Sequence, residues 1–264
     1  RARHLCYCFT PMRYAWDQFE AYFGPERLGR LSHVLRPVLG RLAAWDASTA
    51  HRPHRYLAIS QYVAGRIGRY YNRRSAVVFP PVDTTFYHPG EPAARSGCLV
   101  VSALVPYKRV DIAVAACQMA GEPLTVVGSG PEAGRLQQLA GAGTRFLGWR
   151  TDEEIRALYR TARAVLLPGE EDFGIVPVEA MACGTPVIAL AAGGALETVV
   201  DGVTGRLVRA PEAGAFAEAL RTLPELAPGP IRPQAERFSH ARFAEGFVAA
   251  ATELLRAEGP DPRW

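Results

Sequence analysis

Short apolar runs recur along the second half of the chain, each followed by a loop rich in glycine or proline and then a segment with helical spacing. Residues 98–104, 124–127, 144–147, 164–167, 187–190 and 205–208 read as six strands. Helices are expected over 108–120, from Pro131 onward, from Thr151 onward, and over 176–182, 195–200 and 211–223. Thr151 with Glu154 three residues later is a capping box. A final amphipathic helix is expected over 241–258. Apolar strands alternating with helices predict a parallel sheet covered on both faces. Such a sheet binds ligands beyond the carboxyl ends of its strands, so the informative loops follow strands.

The first half is less regular. Residues 4–9 and 55–59 read as strands, and Ser60 caps a helix reaching Tyr71. Leu28, Leu31, Leu35, Leu39 and Leu42 give helical spacing across 17–49, with Gly29, Pro37 and Gly40 expected as bends or breaks. Residues 76–79 are extended and Pro80-Pro81 stops them; a turn-rich link then runs to Gly97.

Composition narrows the possibilities. A chain of 264 residues suits one large or two modest domains. No apolar run approaches the roughly 20 residues of a membrane span. No leader pattern is visible, and the chain starts at Arg1, not Met. The net charge of +4 suits an anionic small ligand or a membrane surface and is too small to argue for nucleic acid, so no nucleic acid is expected. Five scattered cysteines suggest reduced thiols and a cytoplasmic setting. Cys6 and Cys8 alternate on a strand without further ligands at matching spacing, and the six histidines form no cluster, so no metal is expected.

The densest constellation is the string from Pro168 to Ala189. It leaves a strand, passes a glycine-bearing loop and opens a helix, a geometry that offers backbone N–H groups and a positive helix end. Glu171 stands in the loop and Glu179 on the helix, seven residues intervening. A carboxylate accepts two hydrogen bonds from a vicinal diol, so the pair suits the two rings of a nucleotide sugar. Lys108 lies just past a strand at an expected helix start, where it can neutralise a diphosphate. Arg109 is its neighbour. Gly128 and Gly130 permit close backbone approach to a phosphate or sugar. With Ala133 they also fit a loose dinucleotide fingerprint, which leaves a nicotinamide-dependent enzyme as an alternative.

The string from Glu171 to Glu179 resembles the signature of the glycosyltransferase group 1 family, whose GT-B fold faces two Rossmann-like domains. Further stretches resemble that family in the same order: Val105 to Asp111, Val126 to Glu132, Phe146 to Trp149, Gly193 to Glu197 and Gly202 to Gly205. Cys6 to Asp17 and Tyr62 to Asp83 resemble a bacterial mannosyltransferase-like subgroup that builds surface polysaccharides. The resemblance implies an α/β chain of GT-B type: a complete C-terminal doubly wound domain over 76–238, a partial N-terminal α/β domain over 1–75, and a C-terminal helix over 239–264 packing back on the N-terminal part. Residues 1–75 are fewer than an acceptor domain needs, so the chain reads as a fragment.

Carried onto this chain, the family pattern implies Lys108 and Glu171 as catalytic residues. It implies Arg109, Gly128, Gly130, Leu147, Asp172, Phe173, Gly174, Ile175 and Glu179 at the donor. The donor is a nucleoside diphosphate sugar, transferred to a saccharide or lipid-linked acceptor with retention and without a metal. Two positions depart from the pattern: Ala103 stands where many members carry Arg, and Phe9 where many carry His. A binding module without transfer is the alternative. The stretch from Arg27 to Trp45 mixes leucines with Arg27, Arg30, Arg36 and Arg41. Packing within the N-terminal part and peripheral contact with the inner face of a membrane both fit it.

Overall fold

The computed structural model describes residues 3–91, 94–224 and 228–256. The chain forms two compact units. One holds the described residues up to Pro80 together with those from Phe243, and the other spans Pro81–Arg242.

The first unit starts with β1 (Leu5–Cys8), three short helices α1 (Arg13–Trp16), α2 (Phe19–Phe23) and α3 (Pro25–Leu28), and the long α4 (Leu31–Thr49). β2 (Arg55–Ala58), α5 (Gln61–Tyr71) and β3 (Ser75–Val77) follow. The strands form a parallel sheet in the order β1-β2-β3. The Ser60 hydroxyl accepts from the Val63 amide and so starts α5, as its position before the apolar periodicity predicts. Of the three expected breaks only Gly29 occurs: at φ +53° it ends α3, while Asp17-Gln18 and Gly24 separate the short helices before it. The expected breaks at Pro37 and Gly40 do not occur, and α4 runs through both. Both residues lie on its exposed side. There water can take the carbonyl that Pro37 leaves without a donor, while buried Ser32 and Ala43 hold the inner face.

The second unit is the doubly wound domain. Its elements are β4 (Cys98–Val101), α6 (Val110–Ala120), β5 (Leu124–Val127), α7 (Ala133–Leu139), β6 (Thr144–Gly148), α8 (Asp152–Thr161) and β7 (Ala164–Leu167). α9 (Ile175–Ala182), β8 (Val187–Leu190), α10 (Ala195–Thr198), β9 (Gly205–Val208), α11 (Ala213–Arg221) and α12 (Pro228–Glu236) complete it. All six strands are parallel, in the order β6-β5-β4-β7-β8-β9. All four residues of β7 are buried, which is why the strands at the centre of the sheet read as unbroken apolar runs. Val100, Val126, Leu166 and Ile188 pack toward α6 and α11 through Ile112, Phe216 and Leu220. α8 and α12 both pack on α9. The capping box at Thr151 is present in full.

Two features of this unit depart from the sequence reading. Lys108 does not open a helix. It ends a 3-10 turn (Pro106–Lys108), and Arg109 at φ +51° separates that turn from α6. α12 was not expected at all, because Pro228, Pro230 and Pro233 within nine residues mask its helical spacing. The last helix, α13 (His240–Arg256), has its residues from Phe243 in the first unit. Phe243, Phe247 and Ala250 pack there with Leu5, Tyr7, Leu57 and Val78, and Glu253 pairs with the buried Arg55 at 2.7 Å.

Candidate functional site

The sheet order reverses between β4 and β7. The connection from β4 leads to one side of the sheet and the connection from β7 to the other, so their exit loops part and leave a crevice. The two loops nevertheless touch at their base. A Cβ on Gly169 would lie 2.6 Å from the Tyr107 carbonyl and 2.7 Å from Lys108 Cα, so only glycine allows this approach. Here the Lys108 ammonium and the Glu171 carboxylate form an ion pair, with side-chain exposures of only 18% and 14%. Two residues 63 positions apart in sequence thus meet at the switch point.

The Glu171 loop is held from behind. Its carbonyl accepts from the Gly194 amide at 2.8 Å. Phe173 turns its ring into the core, edge-on to Phe238 at 5.4 Å, so this residue offers only backbone to a ligand. Gly174 at φ +87° then starts α9 without contributing a side-chain acceptor. The amides of the partly exposed Ile175 and of Val176, ahead of Pro177, form a positive helix end beside Glu171.

Glu179 lies one turn further along α9, on its inward side. It is the lone charge in an otherwise apolar helix. Its Oε2 accepts from the Tyr159 hydroxyl at 2.9 Å, and Tyr87 also hydrogen-bonds to it. Burial raises the Glu179 carboxyl above its ordinary range, with the Asp152 charge adding to the effect, while the bonds from the two tyrosines hold it down in part. Burial and the nearby carboxylate likewise push the Tyr159 hydroxyl well up. The structure therefore pairs Glu171 with Lys108, and Glu179 with two tyrosines. Neither Tyr87 nor Tyr159 was legible as a partner. The available signal was the unaccompanied Glu179 itself, since a buried carboxyl requires donors.

Other predicted positions differ in detail. Arg109 is exposed and pairs with Asp111 at 3.2 Å. Gly128 and Gly130 do make close approaches, but to protein. A Cβ on Gly128 would stand 1.9 Å from the Ser102 carbonyl, and one on Gly130 would stand 2.4 Å from that of Leu104. Their small size fits the loop after β5 onto the loop after β4. Leu147 is half-buried near the end of β6. Asp172 is half-buried, and Ala103 and Phe9 are exposed. Among the described residues no group of three or more His, Cys, Asp or Glu is placed to hold a metal ion, and no helix is long and apolar enough to cross a membrane.

Comparison with known proteins decides the family. Residues 89–241, more than half of the chain, match glycosyl transferases group 1. The chain belongs to this family. Relatives of this group 1 chain include a D-inositol 3-phosphate glycosyltransferase of Mycobacterium tuberculosis, 36% identical over 196 residues; the match covers 66% of this chain and 41% of the relative. The match thus spans about two fifths of the length of these curated relatives. Among solved structures, Anabaena HepE in complex with UDP and glucose matches with a TM-score of 0.74 at 21% identity, over 96% of this chain and 72% of that one. Sucrose-phosphate synthase from Thermosynechococcus elongatus matches at 0.71 and 22%, over 96% and 67%. The fold of this group 1 chain is accordingly of the GT-B type.

Proposed function

We propose that the protein transfers a hexosyl group from a nucleoside diphosphate sugar to a saccharide or lipid-linked acceptor, with retention, mannose being the sugar favoured by the sequence resemblance. The observation that carries this reading is the partly buried ion pair of Lys108 and Glu171 at the reversal of the sheet. Without donor, each charge satisfies the other. A diphosphate entering the crevice draws the Lys108 ammonium, and the released Glu171 carboxylate accepts from sugar hydroxyls. The amides at the start of α9 add a second, fixed positive potential. As the glycosidic bond to the diphosphate breaks, charge grows on the leaving oxygen, where Lys108 counts most. In this reading no metal ion is needed to meet that charge. Glu179, oriented by Tyr159 and Tyr87, accepts from the ribose diol.

Calorimetry with GDP, UDP and ADP and their sugars tests the donor assignment. Glu179→Ala is expected to weaken nucleotide binding by about 1–3 kcal/mol, the range for hydrogen bonds to a charged group. An unchanged affinity would remove Glu179 from the site. A product assay with labelled donor tests transfer, and the anomeric configuration of its product tests retention. Binding with neither transfer nor hydrolysis would reduce the chain to a donor-holding module.

A further inference from the structure

The long helix α4 has two apolar lines, and among the described residues only one of them is covered. Its inner side carries the buried Ser32 and Ala43 and the half-buried Leu35, Leu39 and Leu42. Asp46 belongs to that side too, because its carboxylate accepts from Trp16 Nε1 at 3.0 Å and from the Tyr71 hydroxyl at 2.8 Å. The other apolar line is Leu31, Val34, Val38 and Trp45, which are 53%, 62%, 51% and 58% exposed. Spacings of three, four and seven place these four on one stripe, about 21 Å long at the rise of an α-helix.

The charges beside the stripe say what covers it. From Arg27 to Trp45 the chain holds four arginines and a histidine and no carboxylate. Arg30 and Arg41 flank the stripe, are exposed, and form no ion pair among the described residues. Arg36 lies further round the helix and is engaged with Glu20 and the Phe19 ring. A second copy of this face would bring arginine against arginine, which disfavours self-pairing. A bilayer rich in anionic headgroups matches both properties: phosphates meet Arg30 and Arg41, and the aliphatic side chains and the Trp45 indole enter the boundary between headgroups and acyl chains.

We infer that α4 is a docking surface for anionic membrane, lying in its plane on the line Leu31, Val34, Val38 and Trp45. The contact is peripheral and reversible. It is independent of the donor site, so nucleotide binding serves as the check that a variant is folded.

Sedimentation of the protein with vesicles tests this. Vesicles of phosphatidylcholine and phosphatidylglycerol in equal parts are expected to carry the protein down, and vesicles of phosphatidylcholine alone are not. Raising the salt should weaken the binding. Arg30→Gln combined with Arg41→Gln should lower the partition coefficient by about thirtyfold, from about 1 kcal/mol per basic residue near such a surface. Val34→Ser with Val38→Ser should also release the protein while leaving melting temperature, oligomeric mass and nucleotide affinity unchanged. Equal binding to both vesicle types, or an unchanged partition of the arginine variant, would overturn the proposal. A serine variant with a clearly lowered melting temperature or an altered mass would overturn it as well, because the stripe would then be packed against protein.

Discussion

Glu179 shows how a single residue carries both a cost and a use. Its carboxyl is kept above its ordinary range by burial, and two tyrosine hydroxyls are its hydrogen-bond donors. A group whose folded value is raised favours the folded state most at low pH, and that contribution is lost as pH rises through the raised value. A ribose diol donating to the ionised form reverses the preference, so nucleotide binding should expel a proton. Affinity is therefore expected to increase with pH through the range just above ordinary carboxylate values and then to level off. Calorimetry in buffers of different ionisation enthalpy would detect the proton, and Glu179→Gln should abolish the slope. Tyr159→Phe removes the bond at 2.9 Å and leaves a buried oxygen short of a donor. A loss of about 1–2 kcal/mol in stability is expected, together with a steeper pH dependence of binding. Wild-type behaviour on both counts would mean that Tyr159 does not orient the carboxylate.

Among the elements, what could be read from the sequence depended on whether the cause was local. The six strands of the second unit are written as apolar runs because helices cover both faces, and α8 is written in its capping box. A parallel sheet covered on both faces followed from the alternating pattern, but the place where its order reverses did not, and the ion pair there is long-range and was readable only as two separate candidates. α12 was hidden by its prolines, and so was its role. Arg232 on α12 donates to the carbonyls of Thr84 at 2.9 Å, Tyr87 at 3.2 Å and Ala182 at 2.9 Å. It thereby ties the segment bearing Tyr87 to the end of α9, the helix bearing Glu179. Arg232→Ala strands three acceptors, so a loss of about 2–4 kcal/mol is expected by denaturant unfolding. Nucleotide affinity should fall in the same variant, since Tyr87 loses its anchor. A stability loss with full affinity would confine Arg232 to holding the unit together.

For the molecule as a whole, the division into two units makes the ligand a reporter of where function resides. All the proposed donor residues, from Lys108 to Glu179, lie in the unit spanning Pro81–Arg242. A ligand that binds only the folded form adds about 2.7 kcal/mol of stability at a hundred times its dissociation constant. For a unit of this size that is a rise of about 5–10 °C in melting temperature. A nucleoside diphosphate should produce this rise, and the nucleoside alone at the same concentration a much smaller one, because it has nothing to draw Lys108 from Glu171. Lys108→Ala should erase most of the difference between the two ligands. Hydrogen exchange then locates the effect. Added protection is expected in the loops over 102–109 and 168–176, at the ends of β4 and β7, with the amides of the sheet β1-β2-β3 keeping their rates. If diphosphate and nucleoside protected equally, or if the protection fell in the three-stranded sheet, the ion pair at the sheet reversal would be a structural clasp and the donor would have to bind elsewhere.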